Sequence, residues 1–198
     1  MLTDDIFNEI LIKPAQAGAD SLFIVSAYAT PALVAGHFDV LPSNVKIKLI
    51  IGMAGKEGIL AAHHQAYNRL QREDYPGRFE CYYLVNGEPV HSKLYVWTIN
   101  DWPMYAYLGS ANYSYNGMKS NREVMENTDA NDAYKYFQNL LNDSISCTDP
   151  KVLTCVSLHE TTIDSHPDKI SDHPTNQSGY IASATTVDIC LLDNKDNM

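Results

Sequence analysis

The chain has 198 residues, of which 45% are hydrophobic, and a net charge of −10 from 14 Lys and Arg against 24 Asp and Glu. That length suits one α/β-sized domain, and the apolar fraction is enough for a packed core. No apolar run approaches the roughly 20 residues of a membrane span, and Met1-Leu2-Thr3-Asp4-Asp5 lacks the basic start of a signal peptide. A cytoplasmic protein without a membrane partner is therefore expected. The four cysteines, Cys81, Cys147, Cys155 and Cys190, are widely spaced, with no Cys-x-x-Cys zinc pattern, and suit a reducing compartment.

In chain order, Ile6–Ala17 reads as a helix with Ile6, Ile10 and Leu11 inward, bent or ended by Pro14. Ser21–Tyr28 is an apolar run suited to a buried strand. Thr30-Pro31 opens a short helix to about His37, and Val45–Ile51 is the next strand. Gly55–Asp74 reads as one long helix with Ile59, Leu60, Ala62, Ala66 and Leu70 inward. Phe79–Val85 is a strand, and Asn86-Gly87-Glu88-Pro89 a turn. Val90–Trp97 and Met104–Ser110 are further strands joined by a turn at Asn100-Asp101-Trp102-Pro103, and Arg122–Asn127 is a short third one. Asp129–Asp143 closes the series as a helix with Tyr134, Phe137, Leu140 and Leu141 on its apolar face. This order implies an α/β fold, a mixed sheet flanked by helices on both faces.

The core is expected over about residues 1–145, with a late strand near 186–192. Residues 146–183, polar and poor in large apolar side chains, are expected to be an excursion or linker. The strand-like Thr186–Leu192 followed by polar Asp193–Met198 reads as the end of an N-terminal fragment of a longer polypeptide.

The chemistry concentrates in Val90–Val124. His91 and Lys93 are two residues apart, so on one strand they point to the same face. Gly109-Ser110 ends the next strand, with Asn112 two residues on. Asn112 lies 21 positions after His91, and Glu123 follows Asn112 by 11. An imidazole, an ammonium, a hydroxyl, a carboxamide and a carboxylate suit phosphoryl transfer. A neutral imidazole attacks phosphorus, polar and cationic donors hold the non-bridging oxygens, and a carboxylate orients the imidazole. Each motif alone is weak; a lone His-x-Lys is most simply two polar residues on a strand, and Gly109 a turn glycine. Their joint spacing carries the weight.

Other motifs carry less. Gly52-Met53-Ala54-Gly55-Lys56 is too short for a phosphate loop, lacks its Ser or Thr, and reads as a strand-to-helix turn. His63-His64 cannot share one helix face, and no carboxylate pairs with them. Ser26, Tyr28 and Lys119 are lesser candidates for the rim of the site, and Tyr113 or Tyr115 for lining a DNA groove.

His91-x-Lys93 with Gly109-Ser110-Ala111-Asn112 resembles the phospholipase D superfamily. The spacing is most similar to its restriction-endonuclease branch of the NgoFVII and BfiI types, where Gly-Ser-Ala-Asn follows His-x-Lys and a Glu stands about ten residues further on. The superfamily's Asp five residues after the Lys is absent, since position 98 is Thr98; the branch resemblance makes Glu123 its replacement. The similarity extends loosely over residues 1–145 and to Leu191-Leu192-Asp193. It implies metal- and cofactor-independent hydrolysis of DNA phosphodiester bonds through a phosphohistidine, with catalytic residues His91, Lys93, Ser110, Asn112 and Glu123. Because the chain carries one His-x-Lys, a homodimer sharing one site is expected. The acidic charge argues against unassisted DNA binding, so a separate C-terminal DNA-recognition domain is expected too. The alternatives are a non-specific nuclease or phospholipid phosphodiesterase of the same superfamily, or a catalytically silent scaffold for DNA binding or dimerisation.

Overall fold

A computed structural model describes residues 1–160; the expected strand at Thr186–Leu192 and the Leu191-Leu192-Asp193 segment lie outside the described residues. The chain opens with wide helical turns over Phe7–Ile12 that tighten into α1 (Lys13–Gln16). Pro14 has no N–H to return to the carbonyl of Ile10 one turn back, which accounts for the widened turns ahead of it. That carbonyl accepts from Trp97 Nε1 at 2.7 Å, and the neighbouring Leu11 carbonyl is 3.1 Å from His37 Nε2.

Then follow β1 (Ser21–Ser26), α2 (Pro31–Val40), β2 (Lys46–Ile51), α3 (Ala54–Glu57), β3 (Ile59–Leu60) and α4 (Ala61–Arg69), the last prolonged by wide turns at Leu70–Asp74. After β4 (Phe79–Leu84), β5 (Lys93–Ile99) and β6 (Trp102–Gly109), a wide turn at Asn116–Ser120 leads to β7 (Met125–Asn127). The described residues end with α5 (Ala130–Asn142), β8 (Ser144–Ser146), α6 (Val152–Cys155) and β9 (Leu158–His159).

Seven strands form one mixed sheet in the order β7-β6-β5-β1-β2-β4-β8. β1, β2 and β4 run parallel, and every other neighbour is antiparallel. Alternation along the strands splits the core into two faces. Leu22, Ile24, Tyr95 and Trp97 face the N-terminal helix, α2 and α4, whereas Phe23, Val25, Leu94 and Val96 face Ala133 and Phe137 of α5. Asp129 caps α5, accepting from the backbone N–H groups of Asn131 and Asp132 at 2.9 Å each, an arrangement worth about 1 kcal/mol. The expected mixed sheet with helices on both faces is what the chain forms. No helix among the described residues is long and apolar enough to cross a membrane.

Five local expectations change. The strand expected from Val90 starts at Lys93, because β1, its ladder partner, turns away after Ser26 and leaves nothing for Val90–Ser92 to pair with. The Arg122–Asn127 strand begins only at Met125, so Glu123 precedes it. The long helix breaks at Gly58, whose φ is +78°. Ile59 and Leu60 there pair instead with Leu158 and His159, and Ala62, expected inward, is exposed. Residues 146–160, the start of the expected polar excursion, instead complete the edge strand β8 (Ser144–Ser146) and bury Cys147, Val152 and Val156. The turn before β6 is also tighter than expected. Asn100 and Asp101 take φ of +50° and +67° and form a two-residue hairpin loop, with Pro103 already in the strand.

His37 is fully buried. Leu11 O can only accept, so the proton sits on Nε2, and Nδ1 accepts from the Tyr113 hydroxyl at 2.8 Å. Burial holds the imidazole neutral, with its pKa lowered from 6.5 to about 4. Above pH 6.5 it is neutral in both folded and unfolded chains. Below 6.5 the unfolded chain takes up a proton that the folded chain refuses until about 4, so stability falls across that window, by about 3 kcal/mol in all. Urea unfolding from pH 7.5 to 4.5 should show this loss, and His37→Gln should flatten it; equal pH slopes in the two proteins would contradict the assignment.

Candidate active site

The site lies at the C-terminal ends of the parallel strands, where the strand order reverses. The chain builds outward from β1 to β2 and β4, then returns to the other side of β1 with β5. Diverging connections leave a crevice at such a switch point. Into it come the approach to β5, carrying His91, the first residue of β5, Lys93, and the exit from β6, carrying Ser110 and Asn112.

His91 is exposed, whereas Lys93 is only 5% exposed. Lys93 Nζ lies 3.0 Å from His91 Nδ1 and donates to the His91 carbonyl at 2.8 Å. An ammonium has no acceptor, so with Lys93 charged this contact places the imidazole proton on Nε2. Asn112 is buried, and its Oδ1 stands 3.3 Å from both Ser26 Oγ and the Tyr28 N–H. Ser26 Oγ also accepts from the Tyr113 N–H at 2.9 Å. The Tyr28 ring meets the His91 ring edge-on at 5.9 Å, which ties the His91–Lys93 pair to the Ser26–Asn112 pair.

Glu123 is placed differently from the expectation that it orients His91. Its carboxylate accepts a short hydrogen bond from Ser110 Oγ and another from Asn121 Nδ2 at 3.3 Å. Ser110 Oγ in turn accepts from the Val124 N–H at 3.0 Å. The structure thus brings all five expected residues to one end of the sheet, in two groups: His91 with Lys93 and, through Tyr28, Asn112; and Ser110 with Glu123. Position 98, where the superfamily Asp is missing, is a buried Thr98 on β5, six residues from Ser92 along the strand direction that leads away from the site.

Ser26 and Tyr28, rated as rim residues from the sequence, are central, and Glu57, which accepts from the Tyr28 hydroxyl at 3.1 Å, was not anticipated. The available signal was polar Ser26 and Tyr28 just where an apolar parallel strand ends. His63-His64 behaves as expected of adjacent helix residues: His64 bonds the Tyr83 hydroxyl at 3.1 Å, and burial lowers its pKa. Among the described residues, no group of three or more His, Cys, Asp or Glu is arranged to hold a metal ion.

Three glycines let the backbone close around these side chains. A Cβ on Gly52 would sit 2.2 Å from Val90 O, beside His91. One on Gly109 would sit 2.0 Å from Val124 O, beside Glu123, and one on Gly117 2.4 Å from the Asn112 carbonyl. None of the three has positive φ, so close approach, not backbone conformation, requires glycine here. Gly117→Ala should therefore displace Asn112 and lower phosphodiester hydrolysis about 10²-fold, the scale of a misplacement near 1 Å. Steady-state kinetics on a DNA substrate, alongside a thermal melt to confirm folding, checks this; unaltered kcat in a folded variant would dissociate Gly117 from the site.

Residues 4–154 match the family described as the NgoFVII restriction endonuclease N-terminal PLD domain. No curated protein matches. Among solved structures, NucT from Helicobacter pylori is similar at 18% identity and a TM-score of 0.49, covering 72% of this chain and 91% of its own. Nuc from Salmonella typhimurium, a phospholipase D family member, is similar at 14% identity and a TM-score of 0.47, covering 70% and 89%. The family match spans most of the chain and includes His91, Lys93, Asn112 and Glu123, so the chain belongs to the family of NgoFVII-type restriction endonucleases through their N-terminal phospholipase D domain.

Proposed function

We propose that this chain hydrolyses DNA phosphodiester bonds, with His91 as nucleophile and without a metal ion. The observation that carries the reading is Lys93, a buried lysine held against a histidine at the sheet's switch point, with Asn112 fixed beside them. Taking an ammonium out of water costs on the order of several kcal/mol, which is reasonable where an anionic phosphate is to be met. Lys93 and the Asn112 amide would hold the non-bridging oxygens, and Ser110 would supply a further donor.

The arrangement as it stands needs one rearrangement before attack. With its proton on Nε2, His91 has no lone pair there for phosphorus. An incoming phosphate would draw Lys93 away from Nδ1, the imidazole proton would move from Nε2 to Nδ1, and the Glu123 carboxylate, turning from Ser110, would accept a hydrogen bond from that Nδ1–H. Nε2 would then attack, forming a phosphohistidine as the leaving sugar oxygen departs with a proton. Water would release the phosphate from Nε2 in the second step, and two inversions would give overall retention. Glu123→Gln should slow hydrolysis by about 10²–10⁴-fold, the range for loss of an acid–base function, and wild-type turnover in that variant would remove Glu123 from this role.

The metal-free reading follows from the donor set. Metal-assisted phosphoryl transfer draws on several acidic ligands, whereas the two carboxylates near this site, Glu123 and Glu57, are bonded apart from each other to Ser110 and Tyr28, beside an ammonium and an imidazole. Cleavage of plasmid DNA by the protein in excess chelator should match cleavage without it; complete loss that returns on adding back a divalent ion would overturn the reading.

The acid for the leaving oxygen is best supplied by His91 of a second copy, since the chain has one His-x-Lys. A two-fold axis sets identical residues opposite one another. Exposed Lys56 on α3, and Lys119 and Arg122 between Asn112 and Glu123, would offer positive charge to the DNA backbone within an acidic chain, and a separate C-terminal domain would add DNA recognition. A mixed dimer with one His91→Ala subunit should be nearly inactive. Half of the wild-type rate in the mixed dimer would instead mean two independent sites. Hydrolysis of phosphatidylcholine vesicles in preference to DNA would favour the lipid phosphodiesterase alternative.

A further inference from the structure

His91 is an exposed side chain that stands before the β5 ladder begins, yet its ring must exchange hydrogen-bond partners during the proposed reaction. Lys93 leaves Nδ1, the proton shifts, and Glu123 takes the place of Lys93. A ring held by hydrogen bonds alone would lose its orientation at the moment it must attack. One contact is indifferent to that exchange. The Tyr28 ring meets the imidazole at 5.9 Å between centroids, with 81° between the planes. An edge-to-face contact rests on ring area and quadrupole, and it does not require either nitrogen to carry the proton.

A contact can position its neighbour only if it is itself fixed, and Tyr28 is held along its whole length. Its N–H donates to Asn112 Oδ1 at 3.3 Å, and its carbonyl accepts from Ser26 Oγ at 2.6 Å. Its side chain clusters with Met53, in the turn after β2, and the residue is 8% exposed. The two segments are joined there by backbone bonds, since the Gly52 and Met53 N–H groups donate to the Ser26 and Ala27 carbonyls at 2.8 and 3.2 Å. The far end of the ring is tied by its hydroxyl, which donates to Glu57 Oε2 at 3.1 Å. A hydroxyl donating to a carboxylate makes one of the stronger hydrogen bonds. Glu57 is anchored in turn. His159 Nε2 donates to its carbonyl at 3.0 Å, and a Cβ on Gly58 would lie 2.4 Å from that nitrogen.

We infer that Tyr28 and Glu57 form a positioning pair: Glu57 fixes the Tyr28 ring, and the ring keeps the His91 imidazole in its attacking orientation while the tautomer changes. This rests on the phosphodiester reading of the site, with His91 as nucleophile. Neither residue touches the substrate or moves a proton in this role. The two carboxylates thus divide the work on one imidazole. Glu123 sets which nitrogen carries the proton, and Glu57, through Tyr28, sets where the ring points. A nucleophile turned away from phosphorus loses rate whatever the diester, so the contribution of the pair belongs to the chemical step and is the same for large and small substrates.

The test uses the 198-residue protein with a DNA oligonucleotide and with bis(p-nitrophenyl) phosphate. Tyr28→Phe keeps the ring and removes its tie to Glu57, and Glu57→Ala removes the same tie from the other side. Each should lower the single-turnover rate at saturating substrate about 10-fold, less than a full misplacement near 1 Å would cost. The factor should be equal on both substrates, with the half-saturating concentration unchanged. The double variant should lose no more than either single one, because both remove one link. Glu57→Gln, whose amide still bonds the hydroxyl, should restore most of the rate. A purely structural tie would instead lower the melting temperature and leave the rate of the folded protein unaltered. Orientation is read apart from activity by NMR relaxation of the His91 ring C–H bonds, whose order should fall in Glu57→Ala and return in Glu57→Gln. Unaltered rates in folded Glu57→Ala, or losses that add in the double variant, overturn the positioning pair, while wild-type hydrolysis leaves the phosphodiester reading standing. Absence of wild-type hydrolysis of both diesters overturns that reading, and His91 ring order that is then equal in wild type and Glu57→Ala overturns the pair as well.

Discussion

The arrangement depends on a buried positive charge. Lys93 sits at the first rung of β5 with only 5% of its surface exposed, in a sheet whose other central residues are almost all apolar. A charge there is tolerable only with donors and acceptors arranged around it. The His91 carbonyl provides one acceptor and the His91 ring another. Both are available because the chain before Lys93 is not used up in a strand ladder. β1 leaves the sheet after Ser26, and the segment Val90–Ser92 is held instead by the Gly52 turn, whose carbonyl accepts from the Val90 N–H at 3.1 Å. The end of one ladder thus creates the loop that carries the imidazole and the polar niche that holds the ammonium.

Rigidity behind the site comes from polar contacts inside the larger apolar layer. Pro14 leaves the Ile10 carbonyl to Trp97, and Leu11 and Tyr113 hold His37 from both ring nitrogens. Tyr113 also passes its backbone N–H to Ser26, and its carbonyl accepts from the Thr30 N–H at 3.2 Å. Asn112 lies between these anchored neighbours, and Gly117 presses on its backbone. Its amide therefore has little freedom, as a group that must meet a phosphate oxygen requires. By contrast, the Ser110–Glu123 pair, exposed at Ser110 and half-buried at Glu123, sits on short loop segments beside β7, whose outer edge is closed by pairing of Leu2 with Met125. The least constrained of the expected catalytic groups is the one whose proposed role requires it to change partners.

Much of this was legible in the residues. Chemistry was concentrated at His91, Lys93, Ser110, Asn112 and Glu123 because their types and spacings are joint constraints that chance rarely meets, and the strands were legible because β-branched and aromatic runs have a period that only a sheet uses. Three kinds of fact were not. Ile59 and Leu60 lie within a helical pattern, yet they pair with Leu158 and His159 about a hundred positions on, and no local periodicity contains that partner. Residues 146–148 looked like linker, but Gln71 donates to Ser146 and Thr148 and Asn68 to the Cys147 carbonyl, which ties them to the sheet edge. Ser26 and Tyr28 read as the trailing end of an apolar strand, and nothing in their own neighbourhood announces Asn112 or His91 as contacts.

The sequence by itself determined the inventory of reactive groups, the layered α/β class and the family, because these follow from residue type, short spacing and local period. Tertiary structure alone decided which groups touch. Lys93, not Glu123, meets the His91 ring, and Glu57 reaches the site through Tyr28. The physical reason is that strand order sets these contacts: β5 returns to the far side of β1, so the residues at the crevice come from segments that are distant along the chain and adjacent only once the ladder has closed.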